Sequence, residues 1–361
     1  MSNDSMAPLL LTAQTFSRHT SGRSTDFQER VGRPGRDTHG TDALPAVVLL
    51  TRSDDPEADA ISLALAARGV AMVRIDSDRC RDLPIAKEEP DGALCVAGER
   101  FAPTVAWLRY FSPSSVATHD DPVLDSYTRN QWSWWARTIV DGAPRRINQG
   151  LGPCLPDRVA QLAAARGAGL AVPRTIVTSE PAAAARTFGR STDVIVKSIG
   201  GHVLEPHPRH LVGLFTQCLP AASLAGPPTE PAPVMVQEMV PADREVRVFV
   251  VDGTTMSYEV TKSRPDAGWS DSETVTVRPT TVSEELTAAL HGLARRWDLH
   301  IAGFDVLETP DGPVFLEVNA MCDWLFFERE QRPGPMTSAV TDVLVDEHHA
   351  ALEQAQHPGR D

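Results

Sequence analysis

Phe304-Asp305-Val306-Leu307-Glu308-Thr309-Pro310-Asp311-Gly312-Pro313-Val314-Phe315-Leu316-Glu317-Val318-Asn319-Ala320-Met321-Cys322-Asp323-Trp324 is the stretch that decides how the rest of the chain is read. Two runs of strand-forming residues flank Pro310-Asp311-Gly312, whose fixed φ and tolerance of positive φ suit a tight turn, so the segment predicts a β-hairpin. Asp305 falls on the first strand. Glu317 and Asn319 fall two apart on the second, and because side chains alternate along a strand these two share a face. Three hard oxygen ligands at one spot suit Mg²⁺ better than Zn²⁺, since no His or Cys stands beside them in the strands. Taken singly, an acidic residue beside a hairpin is ordinary solvated surface. Within an apolar run, however, a carboxylate is costly unless a cation or partner neutralises it.

Upstream, Asp193-Val194-Ile195-Val196-Lys197 reads as a strand delivering a lysine at its end, and Ser198-Ile199-Gly200-Gly201-His202 follows as a Gly-Gly loop. A cation beside flexible backbone N–H donors is what a polyphosphate needs; a surface lysine at a strand end is the plain alternative. Neither a Walker A loop nor a G-x-G-x-x-G pattern occurs. Val234-Met235-Val236-Gln237-Glu238-Met239-Val240 is an apolar strand emerging into a linker at Pro241 to Arg244. A second strand, Glu245 to Val251, turns at Asp252-Gly253 and returns as Thr254 to Val260. Extended backbone at such a hinge can offer N–H and C=O groups to a flat heterocycle. Glu245 and Arg247, two apart, share a face.

The amino-terminal part differs in character. Residues 1–44 are rich in Ser, Thr, Arg, Gly and Asp without periodicity, which predicts a disordered leader. Ala46 to Leu50 is a buried-strand run, Asp55 to Arg68 a helix stopped by Gly69, and Val70 to Ile75 a second strand, which together make a βαβ unit and a parallel sheet. Further strands are expected at Ala93 to Val96 and Thr104 to Tyr110. A helix over Asp125 to Val140 carries Trp132, Trp134 and Trp135, read as an aromatic face on the sheet, with a peptide groove as the alternative. The Gly/Pro-rich link from Gly150 to Pro156 marks a domain boundary. Helices are expected over Asp157 to Ala168, from a Ser179 cap to Phe188, near His210 to Leu219, over Ser283 to Trp297, and over a half-solvated tail from Thr337 to Gln356.

The chain has 361 residues, 42% hydrophobic and 23% charged, ample for two or three packed modules. A net charge of -14 disfavours a general nucleic-acid binder, because the phosphate backbone would be repelled. Five cysteines lie scattered without C-x-x-C spacing, which argues against a zinc site or disulfide framework and suits a reducing cytoplasm. No apolar run approaches the ~20 residues that span a bilayer, so no membrane partner is expected.

Lysine strand, Gly-containing loop, Gln-Glu-x-Val hinge, Glu-x-Arg strand and Asp…Glu-x-Asn hairpin stand in the order used by ATP-grasp enzymes, and the resemblance covers roughly residues 145–330. Within that superfamily the chain most resembles the graspetide (microviridin-type) ribosomal peptide maturases. Glu317-Val318-Asn319 followed by Asp323-Trp324, Val73-Arg74-Ile75-Asp76, Trp107-Leu108-Arg109-Tyr110 and Gly169-Leu170-Ala171-Val172-Pro173-Arg174-Thr175 carry that likeness. Three departures accompany it. Arg158 stands where many members have lysine, Ala320-Met321-Cys322-Asp323 replaces Pro-x-Gly-Gln, and Trp269-Ser270-Asp271 lacks the usual arginine. The last two touch the substrate side, so ATP use is better supported than substrate identity.

The resemblance implies an α/β chain: a parallel-sheet domain at residues 45–150 and two α+β subdomains, 151–235 and 236–334, clamping ATP, with a helical tail at 335–361. Asp305, Glu317 and Asn319 would hold Mg²⁺, Lys197 the α- and β-phosphates, and Gly200 and Gly201 the phosphate cover. Gln237, Glu238, Met239 and Val240 would receive adenine, Glu245 the ribose, and Arg247 the γ-phosphate or the acyl phosphate formed from it. The implied activity is an ADP-forming carboxylate ligase that joins side chains of a precursor peptide by ester or amide bonds. A small-molecule ligase and a nucleotide- or peptide-binding module without turnover are the alternatives, and a homodimer is left open.

Overall fold

The computed structural model describes residues 13–16, 43–116, 119–148, 157–200, 203–207, 210–214, 216–225, 232–263, 274–329 and 334–357. Gly201, the link at 149–156 and the loop holding Trp269 lie outside them.

The amino-terminal part comprises β1 (Ala13–Phe16), β2 (Leu44–Thr51), α1 (Pro56–Ala67), β3 (Met72–Asp76), β4 (Ile85–Lys87), β5 (Leu94–Val96), β6 (Glu99–Leu108), α2 (Pro113–Val116), α3 (Pro122–Gly142) and β7 (Arg145–Ile147). β2 lies between β3 and β6 and runs parallel to both. Covered on both faces, it reads as a continuous apolar run, with Ala46 to Leu50 all buried. The βαβ unit forms as expected: Asp55 caps α1 by accepting from the Ala58 amide at 3.1 Å, and Gly69 ends the helix at φ 73°. On α3, Trp132 and Trp135 meet edge to face at 5.2 Å against the sheet core, while Trp134 faces outward beneath Arg137. The polar end of β3 is local bonding, since Arg74 binds Asp76 at 2.7 Å and the Arg52 carbonyl at 2.7 Å.

Next come α4 (Arg158–Gly167), β8 (Thr175–Thr178), α5 (Pro181–Phe188), β9 (Asp193–Lys197), β10 (Val203–His207), β11 (His210–Leu214), β12 (Gln217–Pro220) and β13 (Val234–Glu238). β12, β9, β13 and β8 form one antiparallel sheet. The helix expected near His210 to Leu219 is instead two strands. β12 completes the edge beside β9, and β11 pairs with β10 and β1, so inter-strand bonding overrides a pattern too short to fix its period. The same pairing corrects the leader reading at Ala13–Phe16, which are strand. Pro181 starts α5, with Glu180 rather than Ser179 at the cap and no side-chain cap bond.

The carboxyl-terminal part holds β14 (Arg244–Val251), β15 (Thr254–Lys262), β16 (Val275–Thr280), α6 (Glu284–Arg296), β17 (Ile301–Thr309), β18 (Gly312–Asn319) and α7 (Pro335–Gln356). The sheet order is β16-β15-β14-β17-β18. Val246, Val248, Phe304, Val306, Phe315 and Val318 turn one face of it onto Leu286, Leu290 and Leu293 of α6 and Leu162 of α4. The opposite face carries Arg247, Asp305, Glu317 and Asn319 at one end and Phe249, Val251 and Ile301, which pack into a second core, at the other.

α7 is more than a half-solvated tail. Its Met336, Val340 and Leu344 pack with Ile61 and Leu65 of α1, Val105 and Trp107 of β6, and Phe249, Tyr258 and Phe327. One core thus joins the first sheet to the last. The helix begins on Glu328, a buried carboxylate that accepts from the Thr337 amide at 3.1 Å, the Thr337 hydroxyl at 2.7 Å and the Met336 amide. Negative charge at a helix amino terminus complements both its unpaired N–H groups and its dipole.

Two outcomes follow from this packing. Glu328→Ala should lower stability by about 2–3 kcal/mol in urea unfolding, because three donors lose a charged acceptor. Glu57, buried in α1, has its carboxyl pushed up to about 7 by burial and by Asp323, Arg109 opposing. The folded chain therefore keeps a proton that the unfolded chain has lost, so stability should fall as pH rises from the ordinary carboxylate range through about 7. The expected slope is about 1.4 kcal/mol per pH unit for this group, read from urea midpoints, and Glu57→Gln should flatten it.

Candidate active site

Gly312, at φ 114°, makes the turn that sets β18 antiparallel to β17. Asp305 pairs with Glu317 and Gly303 with Asn319, but Phe315 pairs with Val306, so Leu316 is an extra residue in β18. This bulge bends β18 and keeps Glu317 and Asn319 on the face of Asp305. The amide of Val318 is received by Gln161 of α4 at 3.0 Å. On the next strand, Arg247 lies opposite Asp305.

The polar groups meet closely. Asn319 Nδ2 is 3.2 Å from Asp305 Oδ2 and 3.4 Å from Glu317 Oε1. Arg247 Nη1 donates to Asp305 Oδ1 at 2.8 Å and Arg158 Nε to Glu317 Oε2 at 2.8 Å, while Lys197 Nζ stands 3.9 Å from that oxygen. Burial raises the Glu317 carboxyl, but Lys197 and Arg158 outweigh it and bring it down to about 2. Asp305 goes the other way: burial pushes it up to about 7, Arg247 opposing and Glu317 and Glu245 adding to the rise. Burial also lowers the Lys197 ammonium against the pull of Glu317, with Arg158 reinforcing the fall. One carboxylate here is fully compensated and its neighbour is not, an imbalance that a divalent ion between them would remove.

Among the described residues no three His, Cys, Asp or Glu side chains cluster closely enough to hold a metal. The convergent set is two carboxylates and one amide, all able to present hard oxygens; Asn319 must turn its amide to offer Oδ1. Such a set fits Mg²⁺, which takes few protein ligands and fills its shell with water and phosphate oxygens.

The remaining expected residues line the junction of the two antiparallel sheets. Lys197 ends β9, and Gly200 follows in a bend whose carbonyl accepts from Arg158 Nη1 at 2.5 Å, beside the Ser198 carbonyl at 2.8 Å. Gln237 is buried and donates to Thr175 Oγ1 at 2.9 Å, so its side chain shapes the hinge from within. The amides of Glu238 and Met239 are already given to the carbonyls of Arg174 and Asp193, at 3.0 and 3.1 Å. Neither of those two amides is therefore open to a ligand. Glu245 receives Lys262 Nζ at 2.9 Å on the same face as Arg247. Lys262 was not anticipated, and its place two residues beyond the Val260 that pairs with Glu245 is the signal that could have found it.

Arg158 is the other residue the motifs underrated. From α4, capped by Asp157, it reaches both Glu317 and the loop after Lys197, joining the β17–β18 hairpin to the Gly-containing loop. Farther along, Arg109 is buried against Asp55, with Nε 3.0 Å from Oδ2, and its guanidinium lies 5.0 Å from the rings of Trp107 and Trp324. Those two indoles are parallel within 4° at 6.3 Å.

No family model and no curated protein matches the sequence. Solved structures do. The macrocyclase MdnC from Microcystis aeruginosa MRC, bound with precursor peptide MdnA, superposes with TM-score 0.68 at 19% identity over 83% of this chain and 99% of that one. The ATP-grasp ligase PsnB, complexed with a minimal precursor, Mg and ADP, gives TM-score 0.65 at 22% identity over 84% of this chain and 98% of its own. A RiPP-associated ATP-grasp ligase of Chryseobacterium gregarium, in complex with ADP and a leader and core peptide, gives 0.64 at 17% identity over 84% and 97%. With nearly the whole length of each spanned, the architecture is established: this chain has the ATP-grasp fold.

Proposed function

We propose that the protein is an ADP-forming carboxylate ligase that activates a side-chain carboxylate of a ribosomally made peptide and joins it to a nucleophile on the same peptide. The observation that carries this reading is the meeting of Lys197, Arg158 and Arg247 with Asp305, Glu317 and Asn319, where cations for phosphate and oxygens for a metal share one face. The peptide substrate rests on likeness in fold to MdnC and PsnB, which were seen with their precursors.

Asp305, Glu317 and Asn319 would hold Mg²⁺, which when bound neutralises phosphate charge during phosphoryl transfer. Lys197 and Arg158 hold the phosphates from the β9 side, the hinge through Val240 takes adenine, and Glu245 the ribose. Arg247, fixed by Asp305, stands where the transferred phosphoryl group and the acyl phosphate gather negative charge. A carboxylate is a poor electrophile, so this activation must precede attack by a hydroxyl or amine. The backbone around Gly200, tied to Arg158, keeps water from the activated carbonyl.

ADP release with Mg²⁺, ATP and an acidic peptide tests the activity, and mass spectrometry for loss of one water from the peptide tests the product. Glu317→Gln should reduce ADP release by about 10²–10³-fold in a chain that still unfolds cooperatively, since the neutral amide still accepts from Arg158. Activity equal to the parent in that variant would remove the metal assignment. ATP binding without turnover across acidic peptides and small acids would leave a binding module.

A further inference from the structure

The hairpin of β10 and β11 grows directly out of the phosphate side of the site. Val203 opens β10 three residues after Gly200, whose carbonyl Arg158 holds. β11 brings the chain back: its last residue, Leu214, stands three residues before Gln217, which pairs with Val196 beside Lys197. Three residues of extended chain span at most about 11 Å, so the Leu214 end of β11 is anchored close to that lysine. On the side away from β10, β11 is bordered by β1, antiparallel to it, with Ala13 opposite Leu214 and Phe16 opposite Leu211. The 27 residues 17–43 separate this third strand from β2.

A two-stranded hairpin alone is marginally stable in water, and an uncovered strand edge is a template for any extended chain. β11 therefore requires a third strand. β1 supplies only four residues. The bonds between strands contribute about 0.5–1.5 kcal/mol each, while ordering a residue costs about 1–2 kcal/mol in backbone entropy, so the two nearly cancel. What keeps β1 in place is its tether, which raises its local concentration to roughly the millimolar range. A peptide whose carboxylate also engages the groups around Arg247 has two linked holds, one at the edge and one at the site, and linked holds outcompete a single weak one.

We propose that the β11 edge is where the peptide substrate docks, as an added strand, and that Ala13–Phe16 is a built-in competitor which the peptide displaces. This rests on the ligase reading above. Strand addition is carried by backbone N–H and C=O groups, which suits a substrate whose reacting side chains must stay clear of the anchor. The resident strand, Ala13-Gln14-Thr15-Phe16, follows Leu9-Leu10-Leu11-Thr12 in sequence and gives the chemistry of the partner: an extended, uncharged, largely apolar segment, joined in the substrate to a carboxylate-bearing one. Docked against β11, the uncharged segment leaves the acidic one beside Gly200 and Lys197. Occupancy by β1 lowers the fraction of chains open to the peptide, so it raises the apparent KM and leaves kcat alone.

The test uses the full-length protein and a fluorescent synthetic copy of residues 9–18, Leu-Leu-Leu-Thr-Ala-Gln-Thr-Phe-Ser-Arg. At saturating copy, amide exchange within residues 13–16 of the parent should quicken as β1 is released, while residues 210–214 stay protected. Gln14→Pro and Thr15→Pro each delete an amide, and because successive amides point to opposite sides of a strand, one of the two deletes a bond to β11. In a variant that keeps the parent's urea midpoint the copy should bind about tenfold more tightly, the factor for a competitor docked about nine-tenths of the time. With Mg²⁺ and ATP, joining the copy to either end of an acidic run carrying Ser and Lys should lower the KM for ADP release by about tenfold against the run alone, with kcat unchanged. Equal binding to parent and variants, or protection by the copy outside residues 210–214, overturns the docking edge. A parent dimer that dissociates in the variants makes the occupant a second copy and overturns the competitor. ADP release with a KM indifferent to the joined strand overturns the substrate role and leaves the ligase reading standing. Displacement of β1 without ADP release from any peptide removes the ligase reading and the substrate role together.

Discussion

Two carboxylates set side by side on neighbouring strands, away from bulk water, cannot both stay ionised unless positive charge is brought to them. Asp305 and Glu317 are such a pair, and the architecture answers with cations from three separate elements: Arg247 from β14, Lys197 from the end of β9, and Arg158 from α4. None of these is near the others in sequence. Arg247 comes from the hairpin's own sheet, and Lys197 and Arg158 tie that sheet to β9 of the neighbouring one and to α4 where they meet. Arg158 binds the relationship further by holding the carbonyls of Ser198 and Gly200 while it touches Glu317.

The same logic of burial with compensation recurs at the junction with the first sheet. Arg109 leaves β6 among aromatic rings and is balanced by Asp55 at the start of α1. Asn148, at φ 55°, bonds the backbone of Ile301 in both directions and the carbonyl of Ala320, tying the end of β7 to the β17–β18 hairpin. Polar contacts fix the angle at which the layers meet, and apolar packing from α7 closes the gap behind them. A wrong approach would leave several buried hydrogen-bonding groups unsatisfied at once.

Much of this was legible in the chain. The hairpin, the strand ending in Lys197, the βαβ unit and the Ser283 cap follow from period-2 alternation, turn residues and capping chemistry, all of which act over a few residues. What was not legible depends on distant partners. β11 and β12 look helical until β9 and β1 are placed beside them, the burial of α7 cannot be inferred without α1, and Lys262 acquires its meaning only once β15 lies against β14. For the candidate site, motif order points to Asp305, Glu317, Asn319 and Lys197, which the fold brings together, whereas the contacts of Arg158 and the hinge amides already given to Arg174 and Asp193 depend on geometry that no motif carries.

The return of α7 onto α1 and β6 bears on how the protein is made. A sheet built from residues 44–147 emerges early from the ribosome, yet one side of its hydrophobic layer is roofed by Met336, Val340 and Leu344, which are synthesised nearly two hundred residues later. Until those residues arrive, Ile61, Leu65 and Trp107 lack part of their cover, and a nascent chain of that length presents the kind of apolar surface that chaperones bind. The first layer to be translated is thus among the last to be sealed.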